Sequence, residues 1–390
     1  MTKYLIKLGE ISLKGLNRKS FQARLINNIK EKLLPLRADV KSQKGRLFLS
    51  TEDDDKQRIE KVLSTTFGID GYAECRICKE KTEEALINAI REEIQNTSYE
   101  NTTFKAEVRR EDKSFPLSSY QIACIAGGVV LDKYQSAKVS LRDPQRIIYI
   151  EIRSEIYIYS SSKKGSRGLP VGTSGKGISL LSGGIDSPVS SYLMARRGMK
   201  EELLYFHAYP YTTDKAKEKV ITLAKTIAPY LQGTVLHIVS FTDLEIQIAK
   251  NGYENEKTLM LRAAMIKAAD LLARKRRATC IITGEALSQV ASQTQEAINF
   301  TSSFTDINIF RPLIGLEKQE IIDRAKQIGT YETSILPFAD CCVLFSPKHP
   351  KTKPNRDKLT KSFESLELDK IIEEAVENRE TIYIKANELD

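Results

Sequence analysis

Along the second half of the chain, compact apolar runs alternate with longer stretches of helical spacing. Runs at 177–181, 203–208, 234–241 and 278–283 read as strands, with a weaker one at 307–310. Helical patterns separate them at 188–197, 215–231, 257–277 and 316–328. This alternation predicts an α/β domain with a doubly wound parallel sheet, its ligands bound beyond the strand C-termini. The turns after 181 and 283 both fall at such ends, so they are expected to border one crevice. The first 170 residues are patterned differently. A strand at 4–8, an amphipathic helix at 18–34 and a strand at 45–50 come first. Helices at 55–67 and 82–97, a strand at 104–109, a helix at 118–134 and a hairpin-like pair at 147–159 follow. That mixture predicts two α+β units. The Ser-, Gly- and Lys-rich stretch 160–173 reads as a linker.

Composition narrows the class without naming it. A chain of 390 residues holds two or three domains with substantial cores. No apolar run approaches a membrane span, and Met1-Thr2-Lys3-Tyr4 begins no signal-peptide core, so no membrane and a cytoplasmic location are expected. Six scattered cysteines suit a reducing compartment. The net charge of +9 permits a polyanionic partner. Of three histidines, His207 and His237 sit in or beside predicted strands, which argues for packing over a His-rich metal site or a Ser-His-Asp triad. Cys75 and Cys78 have zinc-knuckle spacing, but no second pair completes four ligands, so they read as structural.

The densest chemistry lies in Ser182-Gly183-Gly184-Ile185-Asp186-Ser187, between a predicted strand and a predicted helix. Two glycines let the backbone bend and aim N–H groups at an anion. Ser187 or Asp186 can cap the helix, Pro188 fits its first turn, and the helix N-terminus adds partial positive charge. Gly175-Lys176 forms no Walker A loop: Pro170 stands at the earlier glycine and Gly177 at the following Ser or Thr. The SGGxDS pattern resembles that of the PP-loop ATP pyrophosphatases, which cleave ATP between the α- and β-phosphates and adenylate a substrate. Beside pyrophosphate, Asp186 suits a magnesium-bridging carboxylate; a helix cap is the plainer alternative.

The first half carries candidates for RNA contact. The segment from Gly9 to Arg18 includes Lys14 and Arg18. Arg109, Arg110 and Lys113 precede Phe115, an aromatic expected to be exposed and able to stack a base. Lys163-Lys164-Gly165-Ser166-Arg167 adds a basic stretch read as a flexible strap. Each cluster also suits an ordinary solvated surface.

Taken in order, GEISLKGLNR, VRREDKSFP, SGGIDS, GEALSQVASQTQEAI and ADCCVLFSPKHPKTKP resemble the bacterial tRNA 4-thiouridine synthetases over essentially the whole chain. The resemblance implies a ferredoxin-like domain near 1–55, a THUMP RNA-binding domain near 56–165 and a PP-loop domain near 170–390. It implies an ATP and Mg²⁺-dependent sulfurtransferase that converts a tRNA uridine, position 8 in the family, to 4-thiouridine. The implied ATP site comprises Leu180, Leu181, Ser182, Gly183, Gly184, Asp186, Ser187, Tyr205, Phe206, Arg262, Gly284 and Gln293. Alignment of the cysteine segment points to Cys341 as the reactive thiol, with Cys342 as its alternative; without the family, packing accounts for both equally well. Some members add a rhodanese domain. Ending at Asp390 leaves no room for one, which puts both the sulfur route and a thiamine role in question. A separate cysteine desulfurase is then the expected persulfide donor, and a homodimer is compatible with the resemblance.

Overall fold

The computed structural model describes residues 2–43, 45–53, 55–338 and 351–387. In chain order the first elements are β1 (Thr2–Leu8), α1 (Arg18–Leu33), β2 (Ala38–Gln43), β3 (Arg46–Thr51), α2 (Lys56–Thr65) and β4 (Ile69–Glu74). Then come β5 (Arg76–Cys78), α3 (Glu83–Glu93), β6 (Thr103–Arg110), α4 (Ser119–Lys133), β7 (Lys138–Val139), β8 (Arg146–Ile152), β9 (Ile156–Tyr159) and β10 (Lys163–Lys164). The chain divides into two units. The first takes residues up to Gly15, Leu33–Ser64 and Gly68–Arg167; the second takes Leu16–Lys32, Thr65–Phe67 and the chain from Gly168.

Two five-stranded sheets make up the first unit. One has the order β10-β4-β1-β3-β2, with β1 antiparallel to both β3 and β4. Because β4 pairs with β1, this sheet runs on to residue 74, past the division expected near 55. The expected flexible strap is an ordered edge strand: β10 pairs with β4, and Lys163 Nζ lies 2.6 Å from Glu60. The other sheet has the order β5-β9-β8-β6-β7, with the anticipated β8–β9 hairpin and parallel β6–β8 and β6–β7 pairs. Helices α3 and α4 cover it through Leu86, Ile90, Ile122 and Val130, packed with Phe104, Ile148 and Ile150. A capping box of Ser118 and Gln121 starts α4. Cys75 and Cys78 are buried, and burial pushes the Cys75 thiol up to about 12.

The second unit is built on β11 (Lys176–Leu180), α5 (Asp186–Arg196), β12 (Lys200–His207), α6 (Asp214–Leu231), β13 (Thr234–Ser240), α7 (Thr242–Asn251) and α8 (Lys257–Arg276). It continues with β14 (Cys280–Ile282), α9 (Gln295–Ser302), β15 (Asn308–Phe310), α10 (Lys318–Gln327) and α11 (Tyr331–Ser334); β16 (Glu380–Ile384) comes last. The sheet order is β15-β14-β11-β12-β13-β16, parallel except for β16 against β13. From β11 the chain winds outward through β12 and β13, and α8 then carries it back to β14 on the opposite side of β11. Strand order reverses between β11 and β14, which places a crevice at their C-terminal ends. Residues 201–208 are buried without a break, as a strand covered on both faces requires. Leu203 and Tyr205 pack with α5 and α6, whereas Leu204 and Phe206 pack with α8.

Helix α1 belongs largely to this unit. Lys32 Nζ donates to Thr65 Oγ1 at 2.8 Å, Thr66 Oγ1 at 3.0 Å and Pro229 O at 3.0 Å, so a buried ammonium is held by three oxygens. At the sheet's N-terminal edge, Glu202 meets His237 at 3.0 Å, Lys176 at 2.8 Å and both arms of Arg276 at 2.8 and 2.9 Å. That cluster anchors the end of α8 opposite the crevice. No helix among the described residues is long and apolar enough to cross a membrane.

Candidate active site

The Ser182–Ser187 loop closes on itself. Ser182 N–H donates to Ser187 Oγ at 2.8 Å, the two hydroxyl oxygens lie 3.1 Å apart, and Gly184 N–H donates to Ser182 Oγ at 3.2 Å. The expected side-chain cap is therefore not what forms: Ile185 is the N-cap of α5 and no side chain caps it. Ser187 is engaged in closing the loop, and Asp186 is engaged elsewhere. The segment after β14 runs directly against this loop. A β-carbon on Gly284 would sit 2.9 Å from Ser187 N and 3.0 Å from its Cα, so close backbone approach requires glycine there. Ser190 Oγ donates to Thr283 O at 2.9 Å and joins α5 to the same segment.

Asp186 is bound on both oxygens. Lys318 Nζ lies 2.5 Å from Oδ1, and Gln289 Nε2 donates to Oδ2 at 2.8 Å. Ser334 Oγ donates to Gly184 O at 3.3 Å, which brings α11 onto the loop. A carboxylate with an ammonium at the mouth of a helix N-terminus suits a bound polyphosphate: the cation offsets phosphate charge while backbone N–H groups donate.

The far wall is ionic. Glu285 is buried between Arg262, which contacts Oε1, and Arg311, whose Nε lies 2.6 Å from Oε2; Thr283 donates to Oε2 at 2.9 Å. Burial alone would raise the Glu285 carboxyl, but the two guanidiniums and these hydrogen bonds hold it below its usual range. Arg262 also donates to Ser292 O at 2.6 Å and Ser292 Oγ at 2.9 Å. Gln293 Oε1 accepts from Ala286 N–H at 3.3 Å. Arg262 and Gln293 thus shape the 285–293 loop from within. Leu181 and Tyr205 face α5 and α6, while Leu180 and Phe206 face α8, with Phe206 4.3 Å from the Phe241 ring centre. All four are packing positions at strand ends.

In the first unit, Arg110 donates to Lys113 O at 3.0 Å and Phe115 O at 2.9 Å, so it latches the turn after β6. Phe115 corrects its expected role: the ring is 2% exposed and packs with the α3–α4 core, out of reach of a base. Arg109 and Lys113 are exposed; Arg109 lies 3.7 Å from Glu111. Lys14 is 3.6 Å from Glu10, and Arg18 opens α1.

Cys341 and Cys342 lie outside the described residues. Both flanks are anchored in the second unit. Lys219 Nζ donates to Leu336 O at 2.8 Å, Lys351 Nζ lies 2.8 Å from Glu256, and Thr294 donates to Thr352 O at 2.8 Å. Sequence reasoning missed Glu285, Gln289, Arg311, Lys318 and Ser334. Glu285, a carboxylate just past the strand at 278–283, carried a signal; the others converge only through the fold.

Residues 172–368 match the family model described as thiamine biosynthesis protein (ThiI). Residues 3–73 match the ThiI ferredoxin-like domain and 80–161 the THUMP domain. A probable tRNA sulfurtransferase of Treponema pallidum (strain Nichols) is 43% identical over 392 residues, covering 99% of this chain and 97% of that protein. A probable tRNA sulfurtransferase of Acetivibrio thermocellus is 39% identical over 392 residues, covering 97% and 98%. The crystal structure of a 4-thiouridine synthetase–RNA complex with bound ATP superposes with a TM-score of 0.89 at 32% identity, covering 99% of this chain and 100% of that one.

Proposed function

The chain belongs to the tRNA sulfurtransferase family, and from that premise we propose that it converts a tRNA uridine to 4-thiouridine at the expense of ATP. The observation that carries the reading is the closed Ser182–Ser187 loop at the strand-order reversal, with Gly284 backed against it and Asp186 and Lys318 at its mouth.

Loop N–H groups and the N-terminus of α5 hold the pyrophosphate portion of ATP as the uridine O4 attacks the α-phosphorus. Pyrophosphate leaves and the uridine carries AMP on O4. Lys318 turns from Asp186 to the phosphates when nucleotide enters. Magnesium takes one or two protein carboxylates plus phosphate oxygens, so Asp186 suffices as its protein ligand; the bound ion would neutralise phosphate charge. The Arg262–Glu285–Arg311 network keeps the opposite loop in place. The outer sulfur of a persulfide then attacks C4 and expels AMP; a second thiol cleaves the resulting C4–S–S–Cys bond, freeing 4-thiouridine and leaving a disulfide that an external thiol such as cysteine reduces. We assign the receiving thiol to Cys341, with Cys342 as alternative, and the persulfide supply to a cysteine desulfurase. Exposed Arg109 and Lys113, with Lys14 and Arg18, serve tRNA phosphates. A thiazole-sulfur role, carried only by the name of the family model, stays outside the proposal.

The test is mass spectrometry of nucleosides from tRNA incubated with protein, MgATP, cysteine desulfurase and cysteine. Appearance of 4-thiouridine only with ATP supports the reading. Pyrophosphate release that depends on a small carboxylic acid and not on tRNA overturns it.

A further inference from the structure

The loop after β12 carries an aromatic feature that the nucleotide site leaves unused. Ala208 N–H donates to Thr212 Oγ1 at 2.9 Å, Thr212 N–H donates to Ala208 O at 2.8 Å, and the Thr242 hydroxyl donates to Tyr209 O at 2.7 Å. Thr212 is buried, and the buried His207 ring hydrogen-bonds the Thr213 backbone. The turn is braced from within. It presents Tyr209 and Tyr211 outward, 61% and 46% exposed. Rings on a braced backbone lose little freedom when a flat partner covers them.

Position narrows the partner. β12 runs parallel beside β11, with Leu204 opposite Leu180, so the tyrosine turn and the Ser182–Ser187 loop share one sheet edge. Ser334 touches Gly184 O, and the chain then passes to α6, where Lys219 holds Leu336 O and Lys215 Nζ lies 5.8 Å from the Phe338 ring centre. Helix α6 begins shortly after Tyr211, at Asp214, once Thr212 and the N-cap Thr213 have passed. Residues 334–338 therefore link the phosphate loop to the foot of the tyrosine turn. Exposed Lys215, in the first turn of α6, adds a cation there.

We propose that Tyr209 and Tyr211 form the stacking platform for the target uridine, holding its base out of the RNA with O4 turned to the α-phosphate. This rests on the thiolation reading above. A base must leave its stack before an enzyme can act on it, and aromatic side chains replace the lost stacking. The reacting uracil must also lie near the phosphate loop, and this turn is its neighbour on the strand edge.

The test uses the full chain with Tyr209→Leu/Tyr211→Leu and Tyr209→Phe/Tyr211→Phe. Its RNA probes are a tRNA transcript and the same transcript abasic at the uridine the wild type thiolates. The leucine variant should lose about 10- to 100-fold in kcat/KM for tRNA-dependent AMP formation, in line with measured base–aromatic stacking. Its ATP affinity should stay within about twofold, and the phenylalanine variant should retain wild-type rates. The wild type should bind the abasic transcript more weakly than the normal one, and the leucine variant should bind both alike. An unchanged rate, retained discrimination, or a parallel loss of ATP affinity would overturn the platform, the last assigning the rings to adenine. A wild type that forms no AMP with tRNA overturns the thiolation reading and this proposal with it; every other outcome leaves that reading standing.

Discussion

Lys318 Nζ, at the start of α10, lies 2.5 Å from Asp186 Oδ1, in the first turn of α5. The pair joins an ammonium and a carboxylate that are 132 positions apart in sequence, at the mouth of the loop that would hold pyrophosphate. Each is poised to exchange its partner for the ligand: the lysine for phosphate, the carboxylate for a cation. Asp186→Ala and Lys318→Ala should each lower tRNA-dependent AMP formation by about 10²- to 10³-fold, the scale of one preorganised electrostatic contact. Affinity for tRNA should remain at the wild-type level in a filter-binding assay. Near-normal AMP formation by either variant would remove that residue from the chemistry.

Gly284 tests the loop itself. An alanine β-carbon at 2.9 Å from Ser187 N cannot be accommodated without moving the backbone of the phosphate loop. Gly284→Ala should raise the ATP KM at least about tenfold and cost about 1–3 kcal/mol of stability, as overpacking does. Calorimetry of ATP binding and denaturant unfolding would measure the two effects separately.

Glu285 gives a pH signature. Its folded-state carboxyl is depressed, so its contribution to stability is present above the unfolded-state range of about 4 and lost as pH falls through the lower folded value. Glu285→Gln leaves Arg262 and Arg311 without their buried counter-charge and should cost about 3–5 kcal/mol at pH 7. The gap from wild type should shrink as the medium is acidified below about pH 4. A gap that is constant with pH would contradict an ionised Glu285.

The parallel sheet could be read in the sequence because short unbroken apolar runs, as strands covered on both faces require, alternate with longer stretches of helical spacing. The SGGIDS turn was legible for a similar reason: its glycines, serines and strand–helix setting all serve one backbone shape. β16 was missed because Glu380–Ile384 is a short antiparallel edge strand with a charged start. Phe115 was misread because its neighbours are charged and polar; only the packing of α4 shows the ring turned inward. Nor does the pattern of α1 reveal that Lys32 answers to Thr65, Thr66 and Pro229. A cut near residue 170 would separate Lys32 from Pro229, so the roles of the two halves are better tested in the whole chain.

For that division, Phe115→Ala should destabilise the first unit by about 3–5 kcal/mol, as deletion of a buried aromatic does. Replacing Arg109 or Lys113 by Gln should leave stability unchanged and lower the salt slope of tRNA binding by about 1 for each phosphate no longer neutralised. Titrations at several salt concentrations distinguish the two behaviours. Salt slopes equal to the wild type would take both cations out of the RNA contact.

Thiolation of this kind requires coupling between ATP cleavage and sulfur insertion, and one stoichiometry tests that coupling most directly. Pyrophosphate, AMP and 4-thiouridine are quantified together in a single turnover of the full chain with tRNA, MgATP, cysteine desulfurase and cysteine, for wild type and for Cys341→Ser/Cys342→Ser. The prediction is equal amounts of AMP and 4-thiouridine from the wild type, and tRNA-dependent pyrophosphate release without 4-thiouridine from the variant. AMP formed equally well without tRNA, or full 4-thiouridine formation by the double variant, would contradict it.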